Sequence, residues 1–251
     1  MDVPAAMRAT AKKSGRQPEA KTREAILVAA IAEFAEYGFA GTRTENIARN
    51  AKVNKAMLHY YYHDKETLYD AVLDTLYGSV GEADSLVQQL TNAPLNSVQM
   101  VHIFLKVVIA KHSDPRSRAF RRILAWELAA GQKNLKRVAQ KYMVPRIINT
   151  AEIIRRGIAG GELKCENPVL AVWGLIAQVA FYFMHRETYE GSAIYDDLYR
   201  NVTQQGLLKF LLNNFVASYA VNPAISLDLP KDIIKLSDEL AERMLTPALP
   251  Q

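Results

Sequence analysis

The chain has 251 residues, 49% of them hydrophobic and 23% charged, with a formal net charge of +5; that is enough for one large domain or a small one joined to a larger. An aromatic content of 9% and no low-complexity tract or internal repeat exclude a globally disordered chain. The lone cysteine, Cys165, excludes an intrachain disulfide and a multi-thiolate metal site, and points to a reducing, cytoplasmic compartment.

From the amino terminus, residues 1–20 read as a flexible arm. Between Arg8 and Arg23, six basic residues (Arg8, Lys12, Lys13, Arg16, Lys21, Arg23) face only Glu19, which suits either nucleic-acid phosphates or mere solubility. No apolar stretch of a signal peptide precedes it. Glycine, proline and Asp/Asn punctuation then divides the chain into segments of helical period, with no alternating β-branched run, so the predicted fold is all-α. Thr22 is a candidate N-cap for a first helix ending at Gly38, with Ile26, Leu27, Ala30, Phe34 and Tyr37 on one face. A short second helix runs from Thr44 to Ala51, with Ile47, Ala48 and Ala51 inward. The turn Lys52-Val53-Asn54 follows, and Asn54 caps a third helix from Lys55 to about Tyr61. Asp64 caps a fourth, with Glu66 near its positive end and Leu68, Val72, Leu73 and Leu76 on its apolar side.

Residues 21–66 thus form a small three-helix unit, and 67–251 a larger helical domain. In the latter the pattern predicts helices over Asn96–Lys111, Asp114–Ala130, Asn134 to about Ala159, Asn167–Arg186, Asp196–Ser218 and Lys231–Met244. Pro115 follows a capping Asp114, where its missing N–H costs nothing, whereas Pro145 should bend or break its helix. Val169–Met184 is almost continuously apolar. It falls short of the ~20 residues a membrane span needs and carries Gln178 midway, so burial on every side is the better account.

The spacing from Thr44 to Tyr61 is that of a helix-turn-helix, whose second helix enters the DNA major groove. Such a helix must stay largely uncovered, and VNKAMLHYYYHDKETLY carries an unusual share of ringed and cationic side chains. Leu58 and Tyr62, four apart, should face the core, leaving His59, Tyr60 and Tyr61 freer. Lys55, Ala56 and Met57 open the candidate reading helix: lysine suits guanine acceptors and methionine a thymine methyl. Thr42 and Thr44 are candidates both to cap the second helix and to donate to phosphate. Lys65, at the positive end of the fourth helix, can reach a phosphate too. The implied partner is double-stranded DNA.

The stretch TREAILVAAIAEFAEYGFAGTRTENIARNAKVNKAMLHYYYHDKETLYDAV, Thr22 to Val72, resembles the amino-terminal domain of the tetracycline-repressor (TetR) family. The features in register are the apolar first helix, Gly-Phe then Gly-Thr, Ile47-Ala48, Ala51 with Val53, Leu58 followed by aromatics, and Lys65-Glu66 before an apolar helix. Two departures stand out. Lys52 occupies a turn position where glycine is usual, implying a left-handed conformation at about 1 kcal/mol, and His59 replaces the usual aromatic. The resemblance implies a homodimeric repressor that binds a palindromic operator, is released by a small-molecule effector and dimerises through its last two large helices. Trp173, Phe181, Met184, Leu208 and Leu211 are the corresponding interface candidates, with core as the alternative role of the first three. For the effector pocket, Phe104, Trp126, Gln178 and Tyr182 combine apolar walls with polar tips.

Three rival readings stand beside this one. The larger domain could serve protein interaction or pure dimerisation, and a nonspecific chromatin-type binder would share the same basic helix. A metal-dependent enzyme would lean on His59 and His63, four apart. No third ligand, HExxH, P-loop or dinucleotide turn accompanies them, so no metal or other cofactor is implied.

Overall fold

A computed structural model describes residues 16–78, 84–131 and 133–245, and among these the fold is helical throughout, with one isolated antiparallel bridge between Leu163 and Ala220. Most of the predicted basic arm lies outside the described residues. From Arg16 onward, however, the chain is already helical, and α1 (Arg16–Gly41) starts before the predicted cap at Thr22. EAKTREA consists largely of helix-favouring residues, so nothing local stops the helix from extending backwards. At Gly38 the backbone turns to φ 66° and ψ 177°, a conformation essentially confined to glycine, and the chain kinks there. The buried face of α1 carries Ile26, Ala30, Ile31 and Phe34, whereas Tyr37, predicted inward, is exposed.

The short helix α2 (Thr44–Asn50) falls close to its predicted span, and α3 (Lys55–Tyr62) and the longer α4 (Lys65–Tyr77) start where their caps foretell. The Asn54 side chain accepts from the Met57 amide at 2.8 Å, and Asp64 from the Thr67 amide at 2.7 Å. Lys52 has φ 57°, so the residue standing in the usual glycine position does adopt the left-handed turn. Helix α2 departs from expectation at its start. Its cap residue is Arg43, with no side-chain capping bond, so neither Thr42 nor Thr44 caps it.

The core of this unit does not stop at residue 66. Phe34, Ile47, Leu58 and Leu68 join Tyr69, Val72, Leu73 and Tyr77 of α4 in one cluster with Phe120 and Ile123 of α7 (Arg118–Ala129) and Leu135 and Val138 of α8 (Leu135–Val138). Helix α4 therefore belongs to both parts.

A helix that the pattern did not reveal, α5 (Asp84–Asn92), precedes α6 (Ser97–Ser113). Among the residues of α5 whose burial is described, only Leu86 and Leu90 are deeply buried, one i,i+4 pair in a polar sequence and too little periodic signal to stand out. Asn96 and Gln99 form a reciprocal capping box on α6. Pro115 opens a 3-10 turn, Pro115–Ser117, that delays α7. Pro145 does not break its helix. A π-turn, Ala139–Met143, leads into α9 (Val144–Ala159) and puts Pro145 in the first turn, where the missing donor is tolerated.

Helix α10 (Pro168–Met184) is capped by Asn167, which accepts from the Leu170 amide at 3.0 Å. The predicted helix over Asp196–Ser218 divides into a π-turn, Asp196–Arg200, and α11 (Gln204–Tyr219), because the Thr203 hydroxyl caps a fresh start by accepting from the Gly206 amide at 3.0 Å. Helices α6, α9, α10 and α11 share a second core around Val101, Leu105, Ile154, Val172, Leu175 and Phe215. Gly157 is required there, since a Cβ would lie 2.4 Å from the Ser97 hydroxyl oxygen. The amphipathic α12 (Lys231–Arg243) lays Ile233 and Leu240 against Leu86, Leu90 and Ile103, packing on the body as predicted.

Candidate nucleic-acid interface

Leu58 and Tyr62 are the buried anchors of α3, at 0% and 2% exposure, and the Tyr62 hydroxyl donates to the Arg23 carbonyl at 3.1 Å. Burying two such side chains contributes roughly 1.5–3 kcal/mol each, which fixes the roll of the helix. That roll leaves Lys55, Ala56, His59 and Tyr60 exposed, Tyr60 at 68%, with Met57 and Tyr61 half-buried. Tyr61 packs on the first core and meets the Tyr60 ring edge-on at 5.1 Å. The His59 ring nitrogen Nδ1 lies 2.7 Å from the His63 carbonyl oxygen, and the two histidines share the strained end of α3, where His63 has φ 58°. Among the described residues no group of three or more metal-ligating side chains comes together.

The cations differ in readiness. Lys55 forms an ion pair with Glu45 of α2, N···O 2.5 Å, and this neighbour holds the Glu45 carboxyl below its usual range. Lys65 lies half-buried with its ammonium 4.7 Å from the centre of the Phe39 ring, and partial burial lowers its pKa. Arg43 and Lys52 are exposed at the start of α2 and in the turn. Neither stands out in the sequence as a phosphate cation, because the capping signal lies in the threonines on either side of Arg43 and the turn signal of Lys52 is one of backbone shape.

Thr42 is a correction. It is 3% exposed and its hydroxyl donates to the Gly38 carbonyl at 2.8 Å and the Glu33 carbonyl at 3.1 Å, sealing the kink of α1 rather than facing solvent. Thr44 remains half-exposed at the start of α2.

Trp126, a predicted effector residue, is instead part of the joint between the small unit and the body. Its indole covers Gly38, where a Cβ would lie 2.9 Å from the ring, and its N–H donates to the Ala35 carbonyl at 3.2 Å. Around it, Arg122 donates to the same carbonyl and pairs with Glu36, Tyr69 donates to Glu127 at 2.8 Å, and Arg137 pairs with Asp70 and Asp74. Burial raises the Tyr69 phenol well above its usual value, and the buried Glu127 beside it adds to the rise.

A cavity of about 550 Å³ lies in the body, walled by α5, α6, α9, α10 and α12 and lined also by Tyr77 at the end of α4. Phe104, one of the effector candidates, lines it. Gln178 does not, being exposed with its amide donating to the Gly174 carbonyl, and Tyr182 is held elsewhere, its hydroxyl donating to the Leu198 carbonyl at 2.5 Å. The wall also holds Lys111, His112 and Arg146, which sequence spacing did not bring together because they converge only in the folded body.

Of the interface candidates, Trp173 and Phe181 are 57% and 60% exposed on α10, and Trp173 borders the cavity as well. Met184 and Leu208 are half-buried. Leu211 is a correction: at 2% exposure it is a core residue, while Phe210 next to it is 60% exposed. Leu170, also exposed, lies eleven residues before Phe181 and so on the same face of α10.

No helix among the described residues is long and apolar enough to cross a membrane. The family described as "Bacterial regulatory proteins, tetR family" matches residues 26–72, the segment that builds α2, α3 and most of α1 and α4. The HTH-type transcriptional regulator RutR of Escherichia coli K12 is 29% identical over 210 residues, which cover 82% of this chain and 95% of that protein. The HTH-type transcriptional repressor NicS of Pseudomonas putida KT2440 is 27% identical over 165 residues, covering 65% of this chain and 76% of NicS. A TetR transcriptional regulator from Chloroflexus aurantiacus is alike in fold, with a TM-score of 0.60 at 18% identity over 82% of this chain and 100% of that one. The helix-turn-helix segment is thus matched in sequence to the tetR family of bacterial regulatory proteins, and the chain is alike in fold to a TetR regulator over most of its length.

Proposed function

We propose that the chain is a cytoplasmic transcriptional repressor that binds a palindromic operator as a homodimer and lets go when a small molecule fills the cavity in its body. The observation that carries this reading is the roll of α3: Leu58 and Tyr62 are sealed in the core while Lys55, Ala56, His59 and Tyr60 stand open. Lys55 and Met57 read base edges, and Lys55 exchanges Glu45 for a guanine when DNA arrives. Thr44, Tyr60, Tyr61 and Lys65 hold phosphates, joined by Arg43 and Lys52.

Two features support the rest. Exposed apolar side chains on α10 and α11 suit a subunit contact, and a cavity of about 550 Å³ is of the size that small ligands occupy. Because α4 begins beside α3 and ends on the cavity wall, a ligand that shifts its end also changes the spacing of paired reading helices. That spacing must match one turn of DNA, ~34–36 Å, or a multiple of it. The names of RutR and NicS, a regulator and a repressor, agree with this role. Selection of bound duplexes from a random library tests it. The expected product is an inverted repeat with half-sites one turn, or a whole number of turns, apart. Recovery of no common sequence, or of a single unrepeated site, would contradict it.

A further inference from the structure

The cavity that the proposed function gives to an effector is apolar along most of its wall, where Ile103, Phe104, Val107 and Ile176 stand, but one end is not. There Tyr77, Lys111 and His112 converge on the Phe120 ring. The Tyr77 and His112 rings meet it edge-on at 4.9 and 5.6 Å, and the Lys111 ammonium lies 5.2 Å from its centre. Arg146 lines the same cavity and donates to the Tyr77 carbonyl at 2.5 Å, while Lys111 donates to the Leu76 carbonyl at 3.0 Å. Both cations therefore hold the final carbonyls of α4, at the negative end of its dipole.

Two further atoms at this end are buried without a hydrogen-bond partner among the described residues, Tyr77 Oη and His112 Nδ1. An unpaired buried polar atom is costly to the fold, so a ligand that satisfies it gains discrimination. Burial keeps the Tyr77 phenol protonated and the His112 imidazole neutral, so each can donate one hydrogen bond. Among the described residues lining the cavity the one acid is Glu152, which is exposed and pairs with Arg155 at 3.1 Å.

Resting on the effector reading above, we infer that the cavity takes an organic acid with an apolar body, whose carboxylate is received by Arg146 and Lys111 with Tyr77 and His112 as further donors. The carboxylate competes with the Leu76 and Tyr77 carbonyls for the same two cations. Binding thus loosens the end of α4, the helix whose other end carries Lys65 beside the DNA-reading helix. By reciprocity, DNA that favours the held end of α4 lowers affinity for the acid by the same factor.

Calorimetric titration of the full chain with decanoate and with 4-phenylbutyrate, each against its own primary amide, tests the assignment, because acid and amide differ little except in charge. At least one acid is expected to bind tenfold or more tightly than its amide, and Arg146→Met should remove that preference. If Arg146→Met does not fold, the comparison in the unaltered protein stands by itself. Amides that bind as tightly as their acids, or no binding by either acid, would overturn the inference. The same compounds added to protein bound to its selected duplex separate the two readings. Release by acid and amide alike keeps an effector site and overturns the acid assignment, whereas acid-selective binding that leaves the DNA bound overturns both the effector reading and the α4 link.

Discussion

Lys65 illustrates how one side chain serves two purposes. Its ammonium over the Phe39 ring is worth about 0.5–1 kcal/mol to the fold, and it stands at the start of α4, where a phosphate would also be drawn by the helix dipole. Replacement by glutamate is therefore expected to weaken binding to every duplex and to lower the slope of log K against log salt by about 1. Unchanged affinity across a salt titration would remove Lys65 from the phosphate contacts. His112 offers a test by pH. Burial is the main cause of its pKa falling to about 4 from 6.5, with Arg121 and Lys111 adding to it. Between those values the unfolded chain binds a proton that the folded chain refuses, so stability is fully present above pH 6.5 and is lost as pH falls toward 4. The shift corresponds to roughly 3 kcal/mol. Denaturant melts of the protein and of His112→Phe should therefore diverge by about that much between pH 7 and pH 4, the unaltered protein losing more, and parallel curves would refute the assignment.

At the scale of elements, the sequence is legible wherever the determining contact is local. Asn54 and Asp64 bond amides three residues away, so α3 and α4 start where their caps announce. Lys52 turns left-handed because the step from α2 to α3 demands it, whatever side chain is present. Legibility ends where the partner lies far along the chain or the turn has several geometries. Pro145 sits in the first turn of α9 behind a π-turn that periodicity does not encode, and the threonines flanking Arg43 have other roles. The kink at Gly38 joins both kinds of cause, a local backbone demand and a remote indole. Gly38→Ala is expected to destabilise the protein by about 1–3 kcal/mol from backbone strain alone, with the Trp126 clash adding to it. Gly131, which also has positive φ but open space where a Cβ would stand, supplies the control. If Gly38→Ala costs no more than Gly131→Ala in urea melts, the Trp126 contact contributes nothing.

At the scale of the whole molecule, the sequence showed a small helix-turn-helix unit and a larger helical body, but not how they join. Trp126 reaches Ala35 across 91 positions, and Lys111, Arg146 and Tyr77 meet only when α4, α6 and α9 pack together. The same distance in sequence explains why Leu211 passed for an interface residue and Phe210 was not singled out: a helix with two partners gives no sequence sign of which face meets which. The exposed stripe of Leu170 and Phe181 on α10 belongs to the proposed subunit contact, so Phe181→Glu should convert a dimer into monomers in sedimentation velocity without loss of helical content. An unchanged sedimentation coefficient would place the contact elsewhere.

The claim on which the account turns is that α3 lies in the major groove, one copy per half-site. Ala56 is exposed at the start of that helix, so an iron chelate that cleaves DNA, attached at Ala56→Cys with Cys165→Ser removing the other thiol, reports its position on the selected duplex. The account predicts two clusters of cleavage, one in each half-site and one turn or a whole number of turns apart. Uniform cleavage, or none above that of the unattached chelate, would contradict it.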